Sequence, residues 1–395
     1  MTVAGGNASP SPPHLAAIAG RFLRVGALAW GGPVAQIGVL HRELVEQERW
    51  VDEARFRRAL AVYQLLPGPE ATEMCIWFGT VARGRLGGLL AGLGFVLPGL
   101  VLMLLASWLL LGRAELPPAL RAAFVGMQCV VVALVLRASL RLGRSVLVAD
   151  RALWPVLLGA GVLGWFDAPF WLALVGGGLF AALHHHRNLR NLLGATVLTA
   201  GIAWALQRGP AVDALVAAPA ALGPDAAALA ATGLRAGLLT FGGAYTAIPF
   251  LEADATGATG WMTLQTFQDG LAVGGMIPSP LIVVGAWVGF AGGGLPGALL
   301  VAATIFLPAF LMPLLLHDQL EAIAAAPRLH RLLEGVTAAV AGLIGVVAVQ
   351  WALQLDAPWR WALAIAAWWL LASCRHRLAV LPIMAGAAAF GVLLR

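Results

Sequence analysis

The sequence predicts an all-α polytopic membrane protein built from two homologous repeats of inverted topology, with broken or re-entrant helices. Three observations lead there. Of 395 residues, 60% are hydrophobic and 11% charged, with a mean hydropathy of +0.86, whereas a water-soluble domain carries about 25% charged residues. Two blocks of sequence recur at a constant offset. Arginines crowd one loop of the first block and are missing from the equivalent loop of the second.

The elements follow in chain order. Residues 1–14 lack the basic and apolar regions of a signal peptide and read as a short disordered tail. The first repeat, 15–206, holds apolar runs at 15–40, 59–82, 86–111, 122–136, 152–166, 169–183 and 192–206. A linker rich in Ala, Gly and Pro occupies 207–225. The second repeat, 226–395, holds runs at 226–251, 267–290, 295–316, 336–353, 361–372 and 378–394. At about 20 apolar residues per crossing, the composition accommodates roughly ten to twelve membrane segments. All should be helical, because an open chain in lipid must satisfy its backbone internally. Trp154, Trp165, Trp171, Trp368 and Trp369 fit interfacial belts.

The duplication is read by placing Arg24 on Arg235. Without a gap, Gly26 meets Gly237, Gly31 and Gly32 meet Gly242 and Gly243, Leu40 meets Leu251, Trp50 meets Trp261, and Phe56 meets Phe267. Pro67 and Pro69 then fall on Pro278 and Pro280. With a small gap, Leu86 and Gly88 follow on Leu295 and Gly297, and Pro98 on Pro308. A low-complexity chain does not produce Trp, Phe and two prolines at one spacing by composition alone.

Charge separates the halves. Arg42, Arg49, Arg55, Arg57 and Arg58 lie in a loop whose counterpart, 252–265, has no Arg. By the positive-inside rule, this loop and the clusters at 137–151, 187–190, 328–331 and 375–377 are cytoplasmic. Arg83 and Arg85 stay on the same side if the motif segments enter and return. Equivalent loops then face opposite sides, which is an inverted repeat, an architecture of secondary transporters that bind substrate near the bilayer midplane.

The candidate site lies at the breaks. Gly31-Gly32-Pro33 and Gly242-Gly243 interrupt the first segment of each half; Pro67-Gly68-Pro69 and Pro278-Ser279-Pro280 interrupt the second. Pro at a first helical position and Ser before it are normal helix starts, so four half-helix N-termini could offer free N–H groups to an anion. Arg24 and Arg235 occupy one repeat position, and a guanidinium pair can hold a dianion; the competing reading is that each snorkels to an interface. Glu70, Glu73 and Asp269 are candidates for carrying a coupling proton, although acids in a first helical turn also simply complement the dipole. Gln36, Gln64, Thr240, Tyr245 and Thr246 are polar candidates for lining a path.

Other chemistry is excluded or unsupported. All 25 basic residues are Arg, so a P-loop lysine and a Schiff-base lysine are both absent. Cys75, Cys129 and Cys374 are scattered and odd in number, giving neither a disulfide framework nor a zinc spacing. The run His184, His185 and His186 reads as a solvated boundary. No catalytic motif, metal site or cofactor is expected, and the net charge of +6 reads as topology and not as nucleic-acid binding. The lipid bilayer is the expected surroundings, and a homo-oligomer is compatible with the sequence.

These residues resemble the long-chain, two-half chromate ion transporter family. WGGPVAQIGVLHRELVEQERWVDEARFRRALAVYQLLPGPEATEM, from Trp30 to Met74, is similar to its first signature, and FGGAYTAIPFLE with PSPLIVVGAWVGFAGG to its second. The similarity runs from Phe22 to about Pro313. It implies an inner-membrane carrier that exports chromate, is coupled to an ion gradient such as that of H+, and confers chromate resistance, with sulfate as the isosteric competitor. The chain departs from the family where Gly274 to Pro280 reads GGMIPSP against a common GETTPGP, placing Gly275 and Met276 where an acid and a polar residue are usual; Trp30 replaces a usual Phe. A sulfate or other tetrahedral-anion carrier is the alternative implied by these changes.

Inversion predicts that single cysteines placed at Arg49 and Thr259 will label from opposite faces of oriented vesicles. Labelling from one face refutes it.

Overall fold

The structure is a computed structural model and describes residues 13–30, 32–64, 66–113, 115–183, 187–207, 225–241, 243–257, 260–315, 327–374 and 378–394. Gly31, Gly242, Thr259, His184 to His186, Arg375, Arg377 and nearly all of the 1–14 tail and the 207–225 linker lie outside the described residues. Among the described residues there are helices and turns and no strand. Segments 70–111, 118–149, 281–315 and 329–353 are long and apolar enough to cross a membrane. The chain is an all-α, multi-pass membrane protein.

Each half begins with two helical hairpins. Helix α1 (Leu15–Ala27) is followed by α2 (Gly32–Leu40), which continues as a wider π turn, His41–Gln47. Arg24 near the end of α1 donates to Glu43 at 3.4 Å, and Arg21, one turn earlier, pairs with Glu48. The two arms therefore run antiparallel. Helix α3 (Glu53–Tyr63) and the first arm of α4 (Glu70–Leu111) make the second hairpin, with Phe56 at the start of one stacked 6.1 Å from Phe78 late in the other. His41 binds Glu53 at 2.6 Å and ties the two hairpins together at their open ends. Its hydrogen bond, with Arg57 beside it, holds the Glu53 carboxyl below the usual carboxylate range.

The second half repeats this construction. Helix α9 (Ala226–Leu238) pairs with α10 (Ile248–Thr256) across the 3₁₀ turn Ala244–Ala247, with Arg235 donating to Asp254 at 2.6 Å. Helix α11 (Leu264–Met276) pairs with the start of α12 (Val284–Leu315), where Trp287 donates to the Thr266 carbonyl at 3.0 Å. Even the caps correspond. Asp52 accepts from the Arg55 amide at 2.7 Å to start α3, and Thr263 accepts from the Thr266 amide at 3.1 Å to start α11. Thirteen residues, the length of α1 and of α9, span about 20 Å against a hydrocarbon core of about 30 Å. Such arms are too short to cross on their own.

Helices α4 and α12 then reverse direction. Gly84 and Gly294 adopt φ of 62° and 59°, a left-handed conformation that side chains rarely take, and each lets its helix fold back on its own first arm. Gly79 and Gly87, and likewise Gly289 and Gly297, are in backbone contact, so that a Cβ on either partner would lie against the other's carbonyl oxygen. This geometry matches Gly87 with Gly297 and shifts the sequence register, which set Gly88 there, by one residue. The second arms, 85–111 and 295–315, cross the membrane packed on each other. Gly88 faces Leu314 and Gly92 faces Phe310, so these two arms run antiparallel.

Contacts across the halves are exchanged reciprocally. Gly68 packs on Ala309, and its counterpart Ser279 packs on Gly99, the counterpart of Ala309. Helix α5 (Pro118–Ala149) packs on α14 (Pro358–Ser373) and α15 (Val380–Leu393), whereas α13 (Pro327–Leu353) packs on α6 (Trp154–Trp165) and α7 (Phe170–Ala182). Small residues allow these approaches: Gly126 meets Ala387, and Gly342 meets Leu157. Helix α8 (Arg187–Gln207) leads out of the first half. The tryptophans assigned to interfacial belts all present exposed surface.

The hairpins predict a specific fragility. Gly79→Val or Gly289→Val places side-chain atoms against backbone and should destabilise the detergent-solubilised protein by about 1–3 kcal/mol, read as a lowered melting temperature. Gly386→Val, whose Cβ meets nothing within 4 Å, should leave the melting temperature within error.

Candidate functional site

The tips of the four hairpins meet. The Gly68 amide donates to the Thr240 carbonyl at 2.7 Å, Gln36 Nε2 donates to the Ser279 carbonyl at 3.1 Å, and Trp30 Nε1 donates to the Met276 carbonyl at 3.2 Å. All three bonds join one half to the other. Within its own tip, Gln36 also donates to the Ala29 carbonyl at 2.8 Å, and Thr246 Oγ1 accepts from the Phe241 amide at 3.0 Å. These bonds satisfy groups that the interrupted helices leave over.

A cavity of about 170 Å³ opens beside this junction. The first tip lines it through Trp30, Gly32 and Pro33, the third through Gly243, Tyr245 and Thr246, and the fourth through Ile277, Ser279 and Leu281. These stretches are the N-terminal ends of α2, of the turn entering α10 and of the turn entering α12. The N-terminal end of a helix carries about half a positive charge and can offer backbone N–H groups to an anion. Ser279 Oγ is buried and has no hydrogen-bond partner.

The remaining walls come from α11, α13, α15 and α5, and α5 contributes Arg137 and Arg141. One turn apart, they lie on one face of the helix. Among the described residues neither guanidinium makes an ion pair, and no carboxylate lines the cavity. Arg137 is half-buried and Arg141 exposed, so the cavity opens along α5 toward its Ala149 end. Counted from that end, the two stand about 18 and 12 Å deep, matching the reach of the hairpin arms. The arrangement is a small, strongly positive intramembrane chamber, chemically suited to a compact anion.

The residues singled out in the sequence divide. Gly32, Gly243, Ser279, Tyr245 and Thr246 line the cavity; Gly31 and Gly242 lie outside the described residues. Pro67, Gly68, Pro69, Pro278 and Pro280 build the tips, where Gly68 packs on Ala309 and on the Glu73 carboxyl. Glu70 and Glu73 are buried behind the second tip, and neither Glu73 oxygen has a partner. Asp269 lies apart, accepting from Gln128 at 2.8 Å, and Gln64 is exposed. Arg24 and Arg235 are not brought together and do not line the cavity. Each is engaged by a carboxylate of its own half, Glu43 or Asp254, at matched repeat positions.

Sequence alone groups Arg137 and Arg141, which line the cavity, with the cytoplasmic cluster at 137–151. One signal was available. The apolar run 122–136 is too short to cross a bilayer, so the helix had to continue through both arginines.

A multi-pass protein whose two repeated halves close interrupted helices around a cationic chamber has the build of a membrane transporter. The chain belongs to the chromate transporter family, whose sequence model matches residues 16–182 and again 227–392. It is 47% identical over 347 residues to a chromate transport protein of Pseudomonas aeruginosa, covering 87% of this chain and 82% of that one. It is 29% identical over 367 residues to a chromate transport protein of Cupriavidus metallidurans, covering 87% and 84%. A probable chromate transport protein of Synechococcus elongatus is 29% identical over 336 residues, covering 83% and 82%. No solved structure matches the chain.

The two matched ion pairs should differ in strength. Double-mutant cycles on unfolding should give Arg24–Glu43, long and with Arg24 66% exposed, about 0.2–1 kcal/mol. Arg235–Asp254, shorter and less exposed, should give the larger coupling.

Proposed function

We propose that this protein carries chromate across the inner membrane, outward, and so confers chromate resistance. The observation that carries the reading is the chamber in which Arg137 and Arg141 face three helix N-termini with no carboxylate in the wall. A tetrahedral dianion there accepts from two guanidiniums, from Ser279 Oγ and from backbone amides, and it replaces its hydration with fixed donors. Arg24 and Arg235, held by Glu43 and Asp254, act as clasps that keep each first hairpin closed.

On this reading the halves are inverted repeats, 15–206 and 226–395. The antiparallel second arms of α4 and α12 and the reciprocal contacts of Gly68 and Ser279 support it, since such exchange is what a two-fold relation produces. Glu70 and Glu73 are the coupling candidates, with a proton as the coupling ion. They are the buried acids of the tip cluster. No residue set proposed here performs covalent chemistry.

A second reading, transport of sulfate or another tetrahedral anion, is favoured by one observation. Gly275, where the family commonly has an acid, stands in the cavity wall.

In proteoliposomes, Arg137→Gln or Arg141→Gln should lower chromate flux at least about tenfold, the worth of a hydrogen bond to a charged group. Arg24→Gln should keep flux within about threefold of the parent, as expected for a surface ion pair. Undiminished flux in both α5 variants overturns the site, and saturable flux of sulfate without chromate establishes the second reading.

A further inference from the structure

A second cavity, of about 440 Å³, lies outside the hairpins, among α6, α7 and α8. Its walls are apolar and built largely from small residues, Gly159, Gly176, Gly177 and Gly194 among them, and no acidic residue lines it. Arg190 stands at one end. Its guanidinium lies 5.1 Å from the Phe180 ring, and its Nε is buried without an acceptor.

The positive-inside rule puts that end at the membrane face. Arg190 is in the first turn of α8, Phe180 in the last turn of α7, and Trp154 opens α6. From there the groove runs down to Val197 on α8 and Ala173 on α7, about 10 Å toward the bilayer interior. A charged end at headgroup depth and a dry apolar channel beneath it match one kind of molecule. We propose that this groove holds an anionic phospholipid, its phosphate on Arg190 and one acyl chain between α6, α7 and α8.

The alternatives fit less well. A free phosphate leaves the apolar channel empty, and a zwitterionic lipid adds a choline cation beside a guanidinium that already lacks an acceptor. The charge complement selects the anionic headgroup. Because α13 packs on α6 and α7, an occupant would brace the first-half helices that grip the second half.

The test uses the full-length protein in detergent. Native mass spectrometry with phosphatidylglycerol and phosphatidylcholine should show phosphatidylglycerol bound about fivefold more tightly, the effect of one basic residue on an anionic headgroup. Arg190→Gln should bring the two lipids within about twofold of each other. Gly159→Leu should lower binding of both, since Gly159 lines the groove and a Cβ there meets no protein atom within 4 Å. Equal binding of the two lipids by the parent overturns the proposal, as does a preference that survives both substitutions. Glycerol phosphate competing as well as the lipid reduces the site to a phosphate contact and also overturns it. A Gly159→Leu protein of smaller oligomeric mass with unchanged lipid binding assigns the groove to a second copy instead.

Discussion

Backbone N–H and C=O groups cannot be left unpaired in hydrocarbon, and this chain interrupts its helices there four times. The rest of the structure depends on how those interruptions are satisfied. Each break is tolerated because it is buried against another break: the Gly68 amide on Thr240, Gln36 on Ser279, Trp30 on Met276. No half can do this alone, since the partner groups come from the other half. The same requirement explains the glycines. Backbones that must approach one another at Gly79 and Gly87, or at Gly289 and Gly297, leave no room for a Cβ.

Duplicated features and unmatched features have separate tasks. The matched ones hold the scaffold: Arg24–Glu43 and Arg235–Asp254 close the first hairpins, Asp52 and Thr263 cap equivalent helices, and Gly84 and Gly294 turn equivalent corners. The unmatched ones concentrate charge. Arg137 and Arg141 stand on α5, while α13 has no basic residue after Arg331; Glu70 and Glu73 open α4, where the equivalent positions of the second half are Leu281 and Val284. A near-symmetric frame thus surrounds an asymmetric chamber. Such a division suits a carrier, whose halves must trade positions while the substrate contacts stay with particular side chains.

Much of the fold was legible in the residues. The membrane class followed from composition, the duplication from Trp50, Phe56, Pro67 and Pro69 recurring at one offset, and the hairpins from Gly/Pro breaks too close to the segment ends for a full crossing. The candidate site was legible only in part. Gly32, Gly243 and Ser279 line the cavity, and the breaks that hold them are visible in sequence. That Arg24 and Arg235 match is visible too, but not that each pairs with a carboxylate of its own half.

Local chemistry alone determined where helices stop, where the chain turns, and that it lives in lipid, because those depend on φ/ψ preference and hydropathy over a few residues. Tertiary structure decided which arginines are spoken for. A guanidinium binds a dianion only if no carboxylate has taken it, and Glu43 and Asp254 reach Arg24 and Arg235 through a hairpin whose arms are 19 residues apart in sequence. Arg137 and Arg141 face the breaks only because α4 crosses and α5 returns, a placement that depends on packing between distant helices and not on any spacing within α5.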